Sequence, residues 1–284
     1  MGTMSKSLSR LLPALVLFPL ALCQGGSARK SMRWVVCYSD KPRGEEFLGF
    51  DLAVLDSDAH PPLTSVASHA RSLLAYLSLG EVASHRAYFD AVKAEGILLG
   101  ENPNWQGSFF VDVRDLRWRQ RVIGQLVPAM LASGFNGVFL DTLDDPAALE
   151  RADPERYRGM SAAAASLVRA LRQAFPQLHL MVNRGYELMP EIAPVIDRLL
   201  GESVYTTYDA GRSRYLRVPE GDYQQQVALM KQARAWNPKL RLYSLDYWDP
   251  ADGKEIRRIY RLERANGFAP YVATPGLDRI VRAP

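Results

Sequence analysis

The stretch SGFNGVFLDTLDD, Ser133 to Asp145, decides the fold. Residues 137–140 have the continuous apolar character of a strand buried on both faces. They run directly into Asp141, Asp144 and Asp145, and a core strand has no structural use for so much negative charge. Upstream, Leu116 to Ser133 carries Ile123, Leu126, Val127, Met130 and Leu131 at helical spacing, with Asp115 placed to cap its start, Gly134 its end and Pro128 to kink it. A helix feeding a fully apolar strand is the repeating unit of a parallel α/β fold.

The same unit recurs along the chain. Apolar runs ending in polar or acidic residues occur at RWVVCYSD (33–40), FDLAVLDSD (50–58), LLAYLSLGE (73–81), GVFLDTLD (137–144), LHLMVNRG (178–185), RLLGES (198–203), LYSLDYWD (242–249) and FAPYVATP (268–275). Further amphipathic stretches separate them: Met160 to Phe175 behind a Ser161 cap, Tyr223 to Trp236, and Lys254 to Asn266. Eight buried strands alternating with helices predict a (β/α)8 TIM barrel, a single domain over 31–284. An open doubly wound sheet is the alternative, but the chain has neither G-x-G-x-x-G nor G-x-x-x-x-G-K-[ST], which argues against dinucleotide and ATP chemistry. GSFFVDVRD (107–115) reads either as a ninth strand or as a loop strand over the barrel mouth.

The first thirty residues stand apart. Lys6 and Arg10 precede the apolar run LLPALVLFPLALC (11–23), which gives way to the small polar QGGSA. That pattern predicts a secretory signal peptide over 1–28, hence export to a bacterial periplasm or secretion, with no membrane span in the mature chain. Cys23 is a candidate lipid-anchor site, although the preceding Leu22 is not the small residue such a site favours; Cys37 reads as a buried thiol. The 35 Lys and Arg residues exceed the 31 Asp and Glu, but Lys6, Arg10, Arg29 and Lys30 fall in the first thirty residues, which hold no acid, leaving 31 of each. A neutral mature domain gives no reason to expect nucleic acid as a partner. A monomer is expected.

In a barrel of this class the active site forms at the carboxyl ends of the strands. The residues standing there are Tyr38, Asp40, Asp56, Asp58, Glu81, Asp141, Asp144, Asn183, Arg184, Glu202, Asp246 and Trp248, and carboxylates dominate. None of the seven lysines is among them, which disfavours a Schiff base. The four histidines, His60, His69, His85 and His179, have no metal-ligand spacing, so neither a metal nor a cofactor is expected. A ring of acids suits glycoside hydrolysis, which needs one protonated and one ionised carboxyl on either side of a glycosidic bond. Tyr186, Tyr205, Tyr208 and Trp248 offer aromatic faces for sugar rings.

Five ordered motifs, LAYLSLGEV (74–82), GVFLDTLD (137–144), NRGYEL (183–188), LGES (200–203) and LDYWD (245–249), resemble the endo-α-1,4-polygalactosaminidases of glycoside hydrolase family 114. They are also similar to the hydrolase domains of Pel exopolysaccharide modification proteins, placed in family 166. The resemblance spans Trp34 to Ile280. It implies a (β/α)8 barrel acting outside the cytoplasm on an α-1,4-linked polysaccharide rich in galactosamine or N-acetylgalactosamine. It also implies that the acids ending the fourth and sixth strands do the chemistry: Asp141 as nucleophile and Glu202 as general acid/base. Tyr38, Asp51, Glu81, Asp144, Asn183, Arg184, Tyr186, Tyr205, Asp246 and Trp248 are then substrate-binding or charge-tuning candidates, with Arg184 expected to pair with Glu202. Asp145, followed by Pro146, reads as the cap of the next helix. A glycan-binding barrel without chemistry, or a hydrolase of a different α-linked glycan, are the competing readings.

Overall fold

The computed structural model describes residues 32–283; the expected signal segment over 1–28, with Cys23, lies outside them. Eight parallel strands form one sheet in sequential order: β1 (Trp34–Cys37), β2 (Leu52–Leu55), β3 (Ser72–Ser78), β4 (Gly137–Asp141), β5 (His179–Asn183), β6 (Arg198–Glu202), β7 (Arg241–Tyr247) and β8 (Ala269–Ala273). Each is the core of one of the eight apolar runs. Sequential order without a switch point excludes the doubly wound alternative, and the sheet curls into a nearly closed TIM barrel. At the seam between β8 and β1, the Trp34 indole Nε1–H donates to the Ala269 carbonyl (2.9 Å) and the Tyr38 N–H to the Leu277 carbonyl (2.6 Å). Trp34 also packs edge-on to Tyr243 and tilted against Tyr271, so three rings fill the barrel interior near that seam.

Helices cross over between the strands. The one before β4 begins where the Asp115 carboxylate accepts the Arg117 N–H and ends on Gly134 at φ 111°. Pro128 lacks an N–H, and the helix accommodates it with a wide turn over Val122–Leu126 in which the Val127 N–H reaches back to the Val122 carbonyl. Ser161 does not cap the helix Met160–Ala174. It lies inside the first turn, and the Glu150 carboxylate of the preceding helix accepts the N–H groups of Gly159 and Ser161 (2.7 and 2.9 Å). The helices Glu220–Trp236 and Gly253–Ala265 complete the set on the β6–β7 and β7–β8 crossovers.

The GSFFVDVRD segment is not a barrel strand. Ser108–Val111 lies between Glu81–Ala83 and Leu98–Glu101 in a three-stranded antiparallel sheet that elaborates the β3–β4 connection. A two-stranded hairpin, Thr206–Asp209 with Arg214–Arg217, follows β6.

Period-two alternation sorts the acids of β7. Leu245 and Tyr247 face the interior, so Asp246 faces outward and is fully buried beneath the helix layer. Its Oδ1 accepts the N–H groups of Tyr205 and Thr206, both at 2.7 Å, which ties down the segment after β6. Glu263, on the helix Gly253–Ala265, is likewise fully buried. Burial raises the pKa of Asp246 to about 6, and burial together with the charge of Asp246 raises that of Glu263 to about 8. Both folded values lie above the unfolded carboxyl range, so the fold favours the neutral forms. Their stabilisation is complete below about pH 4 and is lost as pH rises through those two values. The double variant Asp246→Asn/Glu263→Gln should gain melting temperature relative to wild type on going from about pH 5 to about pH 8. Parallel melting curves for the two proteins across that range would refute the assignment.

Candidate active site

Three adjacent strands deliver three side chains to one point. β4 ends at Asp141, β5 at Asn183 and β6 at Glu202. The Asn183 amide stands between the two acids: Nδ2 donates to Asp141 Oδ1 (2.9 Å) and to Glu202 Oε2 (2.7 Å). Only an NH2 group can serve two carboxylates at once, so the amide orientation follows from the chemistry. Each acid takes a second bond from a tyrosine on its own side, Tyr76 O–H to Asp141 Oδ2 (3.0 Å) and Tyr247 O–H to Glu202 Oε1 (2.5 Å).

The backbone turns sharply just past each of these residues. Thr142, Arg184 and Ser203 have φ of 61°, 52° and 52°, left-handed values that residues other than glycine avoid. Hydrogen bonds to neighbouring segments hold the turns. Arg184 N–H donates to the Leu200 carbonyl (2.9 Å) and Ser203 N–H to the Leu245 carbonyl (2.8 Å), while the Thr142 hydroxyl accepts the Gly80 N–H (2.8 Å). The strain is thus located where the functional side chains must leave the sheet.

Charge is crowded here. Burial, then the neighbouring Glu202, raises the Asp141 pKa to about 6 against the opposing bonds from Asn183, the Thr142 backbone and Tyr76. Burial holds Tyr38, Tyr76 and Tyr247 well above the usual phenol range, so they remain neutral donors. A second carboxyl pair lies alongside. Glu81 is buried and accepts from Asn102 Nδ2 and the Ser108 hydroxyl of the accessory sheet. Asp145 stands against Glu81, and burial followed by Glu81's charge lifts its pKa to about 9. Asp145 is therefore the first residue of its helix with its carboxyl turned into the site, rather than the expected cap. Among the described residues no group of three or more His, Cys, Asp or Glu side chains is arranged to hold a metal ion.

These residues line a cleft of about 450 Å³ at the barrel mouth. Of the candidates named from sequence, the cleft gathers Tyr38, Asp56, Glu81, Asp141, Asn183 and Glu202. The others stand elsewhere. Asp51 precedes β2 at the amino end of the barrel, exposed, and accepts the Arg33 N–H (2.9 Å). Asp246 faces the helix layer, as described. Arg184 does not pair with Glu202; its left-handed backbone turns the side chain outward, where it lies 3.9 Å from the exposed Asp144. Tyr186 is held by Gln226 (2.8 Å), and Tyr205 packs edge-on against Tyr223. Trp248 packs tilted against Tyr215, which packs edge-on against Tyr208 of the same hairpin after β6, at centroid distances of 5.8 and 5.1 Å.

The model of glycoside-hydrolase family GH114 matches residues 22–284, nearly the whole chain. The chain belongs to family GH114. An uncharacterized protein of Deinococcus radiodurans is 30% identical over 247 residues, 82% of this chain and 75% of that protein. The glycoside hydrolase domain of PelA from Pseudomonas aeruginosa superposes with a TM-score of 0.77 at 28% identity, over 88% of this chain and 98% of that one. Ega3 from Aspergillus fumigatus, solved in complex with galactosamine, shares the fold at a TM-score of 0.65 and 13% identity, over 91% and 98%. As a GH114 member the protein is a glycoside hydrolase.

Sequence reasoning passed over Tyr76, Tyr247 and Asp145. Tyr76 had a usable signal, since it stands two residues before Ser78 and alternation puts both on the inner face of β3. Tyr247 and Asp246 are neighbours on β7, and only the strand's parity separates the interior residue from the exterior one. Asp56 and Arg86 also reach the cleft, joined by an ion pair at 2.6 Å.

Glycine at position 203 would adopt the left-handed turn after Glu202 without penalty. Ser203→Gly is expected to stabilise the fold by about 1 kcal/mol, less the entropy glycine adds to the unfolded chain. The measurement is chemical denaturation, and a loss of more than about 1 kcal/mol would show that the turn is not strained.

Proposed function

We propose that this GH114 protein is an exported hydrolase that cleaves α-1,4 linkages in a polymer rich in galactosamine or N-acetylgalactosamine, with Asp141 as nucleophile and Glu202 as general acid/base. The observation that carries this reading is the amide of Asn183 shared between the two carboxylates. Two bonds of 2.9 and 2.7 Å to one nitrogen cannot separate those oxygens by more than about 5.6 Å. That bound on the facing oxygens lies nearer the roughly 5–5.5 Å carboxyl separation of retaining enzymes than the roughly 6.5–9.5 Å of inverting ones, and supports the retaining assignment.

In the reaction so assigned, Glu202 donates its proton to the leaving glycosidic oxygen as an Asp141 oxygen bonds to the anomeric carbon. Glu202, now ionised, then takes a proton from the water that breaks the glycosyl ester. Crowding disfavours ionising both acids at once, and the mechanism needs the remaining proton on Glu202 and the charge on Asp141. Tyr76, Tyr247 and Asn183 orient the pair through hydrogen bonds.

The acidity of the cleft and the motif resemblance together support this substrate. Asp56, Glu81, Asp141, Asp145 and Glu202 line it, and its one guanidinium, Arg86, is bound by Asp56 and Asp58 (2.6 and 2.7 Å). Such a cleft attracts the ammonium group of a deacetylated amino sugar. The galactosamine held in the Ega3 structure is consistent with that class. Export rests on the leader-like first 28 residues.

Incubation with galactosamine-rich exopolysaccharide should shorten the chains, with products keeping the anomeric configuration of the substrate. Glu202→Gln should lower kcat by about 10²–10⁴-fold, and Asp141→Asn by at least as much. Binding without cleavage by wild type would make the protein a glycan-binding barrel. Cleavage of a different α-glycan in a panel would reassign the substrate, and inverted products would make Asp141 a base.

Asp141 must be ionised to attack, and its folded pKa of about 6 means that it is protonated below that value. The rate kcat/KM should therefore fall as pH drops through about 6. An acidic limb lying near the ordinary aspartate value of about 4 would contradict the assigned environment.

A further inference from the structure

The end of the barrel opposite the cleft carries a second cavity, of about 520 Å³, among the amino ends of β5, β6 and β7. Four cationic side chains, Arg172, Arg198, Lys239 and Arg241, face it against a single carboxylate, Asp197. That carboxylate is engaged, since Asp197 Oδ2 accepts from Arg172 Nη2 and from the Leu180 N–H, both at 2.8 Å. Arg172 is satisfied as well, with its remaining donors on the carbonyls of Pro176, Leu178 and Val195.

Arg198 is different. It is the first residue of β6, on the same inner face as Leu200 and Glu202, so one strand presents a cation at the barrel floor and an acid at its mouth. Its side chain belongs to a residue only 4% exposed, and Nε and Nη1 are buried without a hydrogen-bond partner among the described residues. A buried guanidinium with unmet donors is destabilising unless an anion meets it. The one nearby carboxylate, Asp197, makes no bond to Arg198, and the other charged neighbours add positive potential. His179, at the start of β5 beside it, has its pKa lowered by burial and then by Arg198, Arg172 and Arg241, despite the opposing Asp197.

We propose that this cavity is a binding site for a tetrahedral oxyanion of the phosphate class, seated on Arg198 with Arg241 and Lys239 closing over it from the rim. A multiply charged anion matches the excess of cations, and an arginine is the side chain best suited to hold a phosphate-class group. The cavity exceeds the size of a bare phosphate, so a phosphate ester fits as well as the free ion. The site lies apart from the acidic cleft and does not depend on the assignment of substrate or mechanism.

Calorimetric titration with inorganic phosphate at constant ionic strength, with chloride as reference, tests this. Wild type should bind one phosphate and melt several degrees higher in its presence than in matched chloride. Arg198→Gln should abolish the binding, and Arg241→Gln and Lys239→Gln should each weaken it by about tenfold. The latter two residues are exposed, so their variants keep the test decisive if Arg198→Gln does not fold. Phosphate acting no better than chloride, or binding equally well to all three variants, would overturn the proposal. Co-sedimentation with phosphatidylglycerol vesicles, lost in the same variants, would assign the oxyanion to a lipid headgroup; phosphate binding without co-sedimentation assigns it to a soluble phosphate.

Discussion

The structure depends on one side-chain amide. Asn183 offers its two Nδ2 hydrogens to carboxylates on the strands either side of it, and so holds Asp141 and Glu202 close enough that, after burial, the charge of Glu202 adds to the rise in the Asp141 pKa. Two like charges repel at that distance, and a buried carboxylate is costly unless it is hydrogen-bonded. The amide offsets both terms. It works only because consecutive parallel strands in a barrel end at the same level with their terminal side chains turned inward.

Everything around the amide keeps that geometry. Tyr76 and Tyr247 take the outer oxygens of the two acids, and burial prevents either phenol from ionising. Left-handed turns at Thr142, Arg184 and Ser203 redirect the chain as it leaves each strand. Asp246, outside the barrel, pins the segment that follows Glu202 by accepting the backbone N–H groups of Tyr205 and Thr206. An acid named from sequence as a substrate contact thus positions the loop beside the site from behind. The accessory sheet brings Asn102 and Ser108 onto Glu81, whose charge adds to burial in raising the pKa of Asp145.

Polarity is divided between the two ends of the barrel. Acids gather at the carboxyl ends of the strands, and basic groups at the amino ends of β5 to β7. On β6 the division is carried by a single strand, from Arg198 to Glu202. A chain whose formal charges nearly cancel beyond its first thirty residues can therefore present strong and opposite local fields, which net charge does not reveal.

The number of strands, their order and the residues at their carboxyl ends were determined by the sequence alone. Continuous apolar runs broken by amphipathic stretches allow only a parallel sheet covered by helices, and such a sheet ends in loops that can carry charge. Tyr38, Glu81, Asp141, Asn183 and Glu202 could be named in that way. Tertiary structure alone decided which face and which end each remaining candidate occupies. Asp246 and Tyr247 are adjacent on β7, and a fully buried strand has no polar face to show which of them points inward. Asp51 stands one residue before its strand and so at the wrong end of the barrel. Arg184 is turned away by a backbone conformation that a residue's identity does not announce. Asp145 has the pattern of a helix cap, yet its carboxyl reaches Glu81 across a contact 64 positions long in the chain, a distance over which local rules carry no information.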